Sequence, residues 1–126
     1  CYMVEGGSSK EFSHVKNLMR SDPEFFGEMT DLLCAAVAEH VCNQVDAGAE
    51  VIQLFDSWAG LLNEEEYARW CIAPFKSIVA AIRSRHPNVP IIGFPRQSGS
   101  KLENFAERTG VNAVSFDNSV PLEWVR

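Results

Sequence analysis

Apolar positions recur along this chain in two different periods. Met29, Leu33, Val37, Val41 and Val45 repeat at every fourth position, which predicts one buried stripe on a long helix. Asp22 followed by Pro23 predicts its start: an N-cap residue, then Pro at a position whose N–H has no intrahelical partner anyway. Gly48 predicts its end. Short apolar runs predict strands at 50–57, at 90–95 ("PIIGFP") and at 112–117 ("NAVSFD"). Residues 1–5, "CYMVE", read as the end of a further strand, followed by the turn "GGSS". Residues 10–21 read as helix. Asn63 with Glu66 three residues later predicts a capping box that opens another helix. Pro74 should kink or split that helix, and "HPNVP" closes it. Residues 100–109 predict a short helix stopped by Gly110.

Helices alternating with apolar strands predict parallel pairing and an α/β layer architecture. "AGAEVIQLFD" and "TGVNAVSFD" share a capping Gly, a strand and a terminal Asp, a short echo of a repeated βα unit. Alternation puts Ile52, Leu54 and Asp56 on one face of the first complete strand, suited to a helical cover. Val51, Gln53, Phe55 and Ser57 share the other face, which is mixed, as a barrel interior can be. The last strand splits likewise, Val114 and Phe116 against Ala113, Ser115 and Asp117. Polar residues at the carboxyl ends of parallel strands lie where α/β folds bind ligands. That makes the corner "DSWAG" a candidate site. The alternative, that Asp56 and Asp117 only cap turns and Ser57 is a turn residue, stays open at this point.

Composition narrows the function classes. The 126 residues fit one ordinary domain, and 46% hydrophobic with 22% charged residues fits a globular chain. A formal net charge of −6 with no Lys/Arg cluster disfavours nucleic acid and anionic membranes as partners. No apolar run approaches the ~18 residues of a membrane span. Cys1, Cys34, Cys42 and Cys71 form no CxxC pair, and Cys34 and Cys42 are two helical turns apart, too far to bridge. They read as reduced thiols of a cytoplasmic protein. His14, His40 and His86 stand at no metal-ligand spacing. "EGGSS" lacks the glycine pattern of a dinucleotide site and the lysine of a phosphate loop, and there is no GxSxG elbow.

Four stretches carry a resemblance. "YMVEGGSS", "VIQLFDSWAG", "IIGFPR" and "SFDNSVPL" occur in this order, and the chain resembles the middle of the uroporphyrinogen decarboxylase family over essentially all of its length. The resemblance implies an α/β fold of the TIM type, a (β/α)8 barrel of which this chain would cover about half. It implies an enzyme that removes CO2 from the four acetate arms of a tetrapyrrole, uroporphyrinogen III, leaving methyl groups and giving coproporphyrinogen III on the way to haem. It implies no metal and no organic cofactor. Tyr2 matches a substrate-contacting Tyr and Ser57 a Ser that contacts a substrate carboxylate; Arg96 aligns with a basic residue after the later strand. Gln97 and Ser98 stand where a "GA" turn is expected, and Asn118 where an aromatic is usual.

The family's amino-terminal arginines, central Asp and late His have no counterpart here, so its catalytic residues would lie outside these residues. The expectation is a fragment, inactive alone, with a homodimer left open. With Tyr2 and Ser57 ending consecutive parallel strands, both hydroxyls should open onto one carboxyl-end cleft. Asp117 and Arg96 should share that end, and Gly48 and Gly110 should lie at the other. Four strands should leave an open sheet with one apolar face incompletely covered. One alternative is a zinc-dependent methyltransferase of the related barrel family, which would carry a His-x-Cys pair near "IIGFPR", where neither residue occurs. Another is a non-catalytic α/β binding or dimerisation module.

Overall fold

A computed structural model describes residues 1–7, 9, 11–121 and 123. They form two compact units, Cys1–Leu33 and Cys34–Arg126. The first unit is helical. α1 (Tyr2–Glu5) is a single turn closed by Gly6 at φ 73. This corrects the strand expected at residues 1–5. The run is too short to show a period, and its main-chain groups bond locally. The Val4 and Glu5 N–H groups donate to the Cys1 carbonyl, and the Gly6 N–H donates to the Tyr2 carbonyl. α2 (Ser13–Ser21) buries Val15 and Met19, and the Val15 N–H donates to the Glu5 carboxylate at 2.9 Å, tying the two helices together. Ser8 of the expected turn and Lys10 at the expected helix start lie outside the described residues.

α3 (Pro23–Asp46) starts as expected, with the Phe25 N–H donating to the Asp22 carboxylate at 3.1 Å. It passes from the first unit into the second. Its buried stripe differs from the expected one by a single position: Cys34, Ala38, Val41 and Cys42 are buried, whereas Leu33 and Val37 are 41% and 40% exposed. Small side chains explain the rotation. They let the helix come close to its neighbours, so that the Cys34 thiol lies 4.0 Å from the Pro74 carbonyl oxygen.

The second unit is a parallel sheet covered on one face. β1 (Ile52–Asp56), β2 (Ile91–Pro95) and β3 (Ala113–Val114) lie side by side in that order, with Ile52 opposite Ile91 and Ile92 opposite Ala113. Among the described residues there are thus three strands rather than four, in an open sheet. The last is shorter than the expected 112–117, although Asn112 and Ser115 extend its ladder by donating to the Ile91 and Gly93 carbonyls. Gly48 precedes β1 and Gly110 precedes β3, so both stand at the amino end of the sheet, as expected.

Between β1 and β2 the chain is helical without a break from Glu64 to Arg85. α4 (Glu64–Tyr67) opens on the expected capping box: the Glu66 N–H donates to Asn63 Oδ1 at 2.9 Å, and the Asn63 N–H donates to Glu66 Oε2 at 3.1 Å. A π turn (Ala68–Ile72) then joins it to α5 (Ala73–Arg85). The widened turn, with the Ala73 N–H donating to the Ala68 carbonyl, accommodates Pro74 without a split. α6 (Phe105–Thr109) ends at Gly110, φ 82.

The core lies between these helices and the sheet. Ile52, Leu54 and Ile91 pack with Val41, Cys42, Phe75, Val79, Ile82 and Phe105. Gly93 is needed there, because a Cβ on it would sit 2.6 Å from the Phe105 ring. That ring is held in turn by an edge-on contact with Phe75 at 5.1 Å. Among the described residues the opposite face of the sheet is incompletely covered, as expected. Phe55 is 65% exposed and meets Phe94 edge-on at 5.6 Å, while Gln53 donates to the Ser115 hydroxyl at 3.2 Å. No helix among the described residues is long and apolar enough to cross a membrane.

Candidate active site

The carboxyl ends of β1 and β2 are stitched together by main chain. The Arg96 N–H donates to the Asp56 carbonyl at 2.9 Å, and the Gly60 N–H donates back to the Arg96 carbonyl at 3.0 Å. Between them sits the corner "DSWAG". Asp56 continues the buried face of β1, and its Oδ1 accepts the Trp58 N–H at 3.1 Å. That bond turns the chain immediately past Ser57. Ser57 is exposed at the strand's end, and Ala59–Leu61 form one 3-10 turn.

The two loops interlock. A Cβ on Gly60 would lie 2.6 Å from both the Cβ and the carbonyl oxygen of Gln97. Gln97 itself has φ 58, a backbone conformation that favours glycine, which is the physical content of its departure from the expected "GA" turn. Its N–H donates to Asp117 Oδ2 at 2.7 Å, and the Ser119 N–H donates to Asp117 Oδ1 at 3.0 Å. These bonds to Ser119 first, then that to Gln97 and the nearby Arg96 charge, hold the Asp117 carboxyl below its ordinary pKa. Asp56 and Asp117 both act as turn caps here, the alternative left open by their positions.

A polar cluster lies beneath this rim, on the covered side. Burial raises the Asp56 carboxyl above its ordinary pKa, opposed by the Trp58 N–H and the Cys71 thiol. Burial also pushes up the Cys71 thiol, as does the adjacent Asp56 charge. Tyr67 is fully buried, and its hydroxyl, though beside Ser98 and Cys71, has no partner in full hydrogen-bond geometry among the described residues. The Ser98 hydroxyl donates to the Pro95 carbonyl at 2.8 Å. The Lys101 ammonium donates to the Leu62 and Gly60 carbonyls at 2.5 and 3.4 Å and lies 5.5 Å from the centre of the Tyr67 ring.

Ser57, Arg96 and Asp117 therefore share one end of the sheet, as expected. Tyr2 does not end a neighbouring strand: it is on α1, in the first unit, 53% exposed and edge-on to Phe12 at 6.0 Å. The expectation that Tyr2 and Ser57 end consecutive parallel strands is corrected with it. Lys101 carried no signal in the sequence, where it reads as one more solvated residue of a short helix. Among the described residues no three His, Cys, Asp or Glu side chains gather closely enough to hold a metal ion. A cavity of about 390 Å³ opens at the amino end of the sheet, lined by Val45, Arg85, His86 and Val89 among others, away from these polar strand ends.

Comparison with known proteins places this chain in a family. The family profile described as uroporphyrinogen decarboxylase (URO-D) matches residues 1–126. The uroporphyrinogen decarboxylase of Granulibacter bethesdensis is 51% identical over 120 residues, 95% of this chain and 35% of that protein. Those of Rhodospirillum rubrum and Gluconobacter oxydans are 47% and 46% identical, over 98% and 93% of this chain and 35% and 33% of theirs. The chain spans about a third of the length of the curated relatives it matches.

Proposed function

We propose that this chain, which belongs to the uroporphyrinogen decarboxylase family, is the middle part of a cytoplasmic enzyme that converts uroporphyrinogen III to coproporphyrinogen III. The observation that carries the reading is the rim: two main-chain bonds join the ends of β1 and β2 so that Ser57 and Arg96 stand at the same end of the sheet. The uncovered face with Phe55, Ile92 and Phe94 then forms part of the wall of a (β/α)8 barrel completed by the rest of the protein. Its aromatic surface suits the flat pyrroles of the substrate, and the rim suits their carboxylates.

The chemistry asks for little more than placement. A pyrrole protonated on a ring carbon accepts the electron pair left by the departing CO2 as an exocyclic methylene; that methylene is then protonated to a methyl group, and loss of the ring-carbon proton restores the pyrrole. The protein orients the ring, stabilises its developing positive charge and manages protons. Ser57 donates to a substrate carboxylate, Arg96 adds positive charge at the rim, and Tyr2 is a further substrate-contacting hydroxyl. The groups that grip the reacting pyrrole belong to the remainder of the enzyme, so this chain alone is inactive.

The test is a graft. The G. bethesdensis relative carrying residues 1–126 in place of its own matching third should release coproporphyrinogen from uroporphyrinogen. In that protein Ser57→Ala should lower kcat/KM roughly tenfold to a hundredfold, the worth of one hydrogen bond to a charged group. A folded graft without turnover would sink the reading, and unchanged kinetics in S57A would remove Ser57 from the site.

A further inference from the structure

Lys101 is in the same unit as the rim but faces the back of it. Its ammonium reaches two carbonyls of one loop, Gly60 and Leu62, and lies 5.5 Å from the centre of the Tyr67 ring. The ammonium thus has two carbonyls in hydrogen-bond range and an aromatic ring at cation–π distance, and the side chain is half-buried. A polycarboxylate substrate would draw on free cations at the rim, and this one is already committed to the protein.

Its placement explains how the Ser57 loop is held. One end of the loop is fixed at Asp56, whose carbonyl accepts the Arg96 N–H and whose carboxylate accepts the Trp58 N–H. The middle is fixed at Gly60, whose N–H reaches the Arg96 carbonyl and whose lack of a Cβ lets it rest on Gln97. At the far end, among the described residues, the Leu61 and Leu62 N–H groups make the short-range bonds of a single 3-10 turn, to Trp58 and Ala59, and Leu62 packs partly on the core. One such turn is weak on its own. The Lys101 ammonium adds a polar anchor for the carbonyls of this stretch from the loop after β2.

We propose that Lys101 is a positioning residue: it pins the loop that carries Ser57 from behind, so that the Ser57 hydroxyl meets the substrate carboxylate at a fixed place. It does not touch the substrate. The inference rests on the proposed Ser57 contact.

The test has two arms. In this chain, K101M keeps the apolar stem and removes the donors. Hydrogen exchange at the Trp58, Gly60, Leu61 and Leu62 amides should accelerate at least tenfold, with the β1 and β2 amides unchanged. Should K101M lose protection throughout, K101Q replaces it. In the full-length graft, K101M should lower kcat/KM at least tenfold, and S57A/K101M should be no worse than S57A within about twofold. K101R, which restores charge and donors, should recover activity to within about threefold of the parent. Unchanged loop exchange in a folded K101M overturns the inference, and so does normal turnover in K101M where S57A is impaired. Full additivity of the two substitutions also overturns it. Unchanged kinetics in S57A removes the contact itself, and this inference with it.

Discussion

Gly60→Ala is the sharpest probe of the rim. The added Cβ would stand 2.6 Å from Gln97 Cβ, 2.6 Å from its carbonyl oxygen and 3.0 Å from its carbonyl carbon. Two of these three atoms are main chain, and they cannot easily retreat. The Gln97 N–H is held by Asp117 at 2.7 Å, and the preceding carbonyl, that of Arg96, is held by Gly60 itself. Overpacking of this kind costs about 1–3 kcal/mol. Against it, Gly60 has no left-handed backbone to lose, so alanine gains about 0.4–1 kcal/mol by restricting the unfolded chain. The net expectation is a loss of about 1–2 kcal/mol. For a chain of this size that is a fall in Tm of roughly 4–8 °C, from an unfolding entropy of about 2.1 cal/mol/K per residue. Thermal melting of the 126-residue chain followed by circular dichroism reads it directly. Gln97→Gly removes one of the clashing atoms and suits φ 58, so G60A/Q97G should recover part of the loss. The carbonyl contact remains and keeps the recovery incomplete. A melting point for G60A within 1 °C of the parent would show that the two loops have room to slide, and the rigid rim would be wrong.

The remaining expectations follow from separate features. Asn63→Ala removes the side-chain half of the capping box, the Oδ1 that accepts the Glu66 N–H, leaves the main-chain N–H that donates to Glu66, and should cost about 1 kcal/mol in urea denaturation; no change would mean that the helix start is held by packing alone. Asp56 is raised above its ordinary 3.8 by burial, so folding takes up a proton: its contribution is present below that value and lost as pH rises through the higher folded pKa. Asp56→Asn does not titrate, so its stability relative to the parent should improve from about pH 4 upward, and parallel curves from urea midpoints at each pH would contradict the assignment. Cys1 is exposed while Cys34, Cys42 and Cys71 are buried, so a thiol reagent should label one cysteine quickly and the other three only after denaturant is added. Four equally fast thiols would place the helices differently.

What was legible in the sequence follows the length and period of each segment. β1 and β2 announced themselves because each is an apolar run bounded by a turn signal, and their faces followed from alternation alone. The starts of α3 and α4 were legible because Asp22–Pro23 and Asn63 with Glu66 satisfy orphan N–H groups by local chemistry, which needs no tertiary context. "CYMVE" failed for the opposite reason, since five residues offer no period to distinguish a helical turn from a strand. The α3 stripe was misplaced by one position because apolar size was taken as the guide. The core chose the small Cys34, Ala38 and Cys42, and left Leu33 and Val37 at the edge. The placement of Ser57 and Arg96 at one end of the sheet was legible because Ser57 follows the apolar run of β1 and Arg96 that of β2. Lys101 was not, because its role depends on two carbonyls some 40 residues earlier in the chain.

The net charge of −6 counts against the polycarboxylate substrate proposed above, yet the charge that matters is the charge at the rim. Two acids end strands or loops there. Asp56 continues the covered face, and its burial favours the neutral form. Asp117 stays ionised, but its two oxygens accept the Gln97 and Ser119 N–H groups and it lies within reach of the Arg96 charge. One acid is thus turned toward the helices and the other is satisfied by the turn it caps. Neither presents a bare carboxylate to a substrate. Lys101 adds positive charge behind the same loop, and the exposed Arg96 adds it near Asp117. The excess acid is carried elsewhere, much of it on exposed helix positions such as Glu24, Glu28, Asp31 and Glu39, where water and salt screen it. A chain can therefore be acidic as a whole and still keep its strand ends fit to receive carboxylates, provided that each acid near them is buried toward the core or fully hydrogen-bonded by main chain.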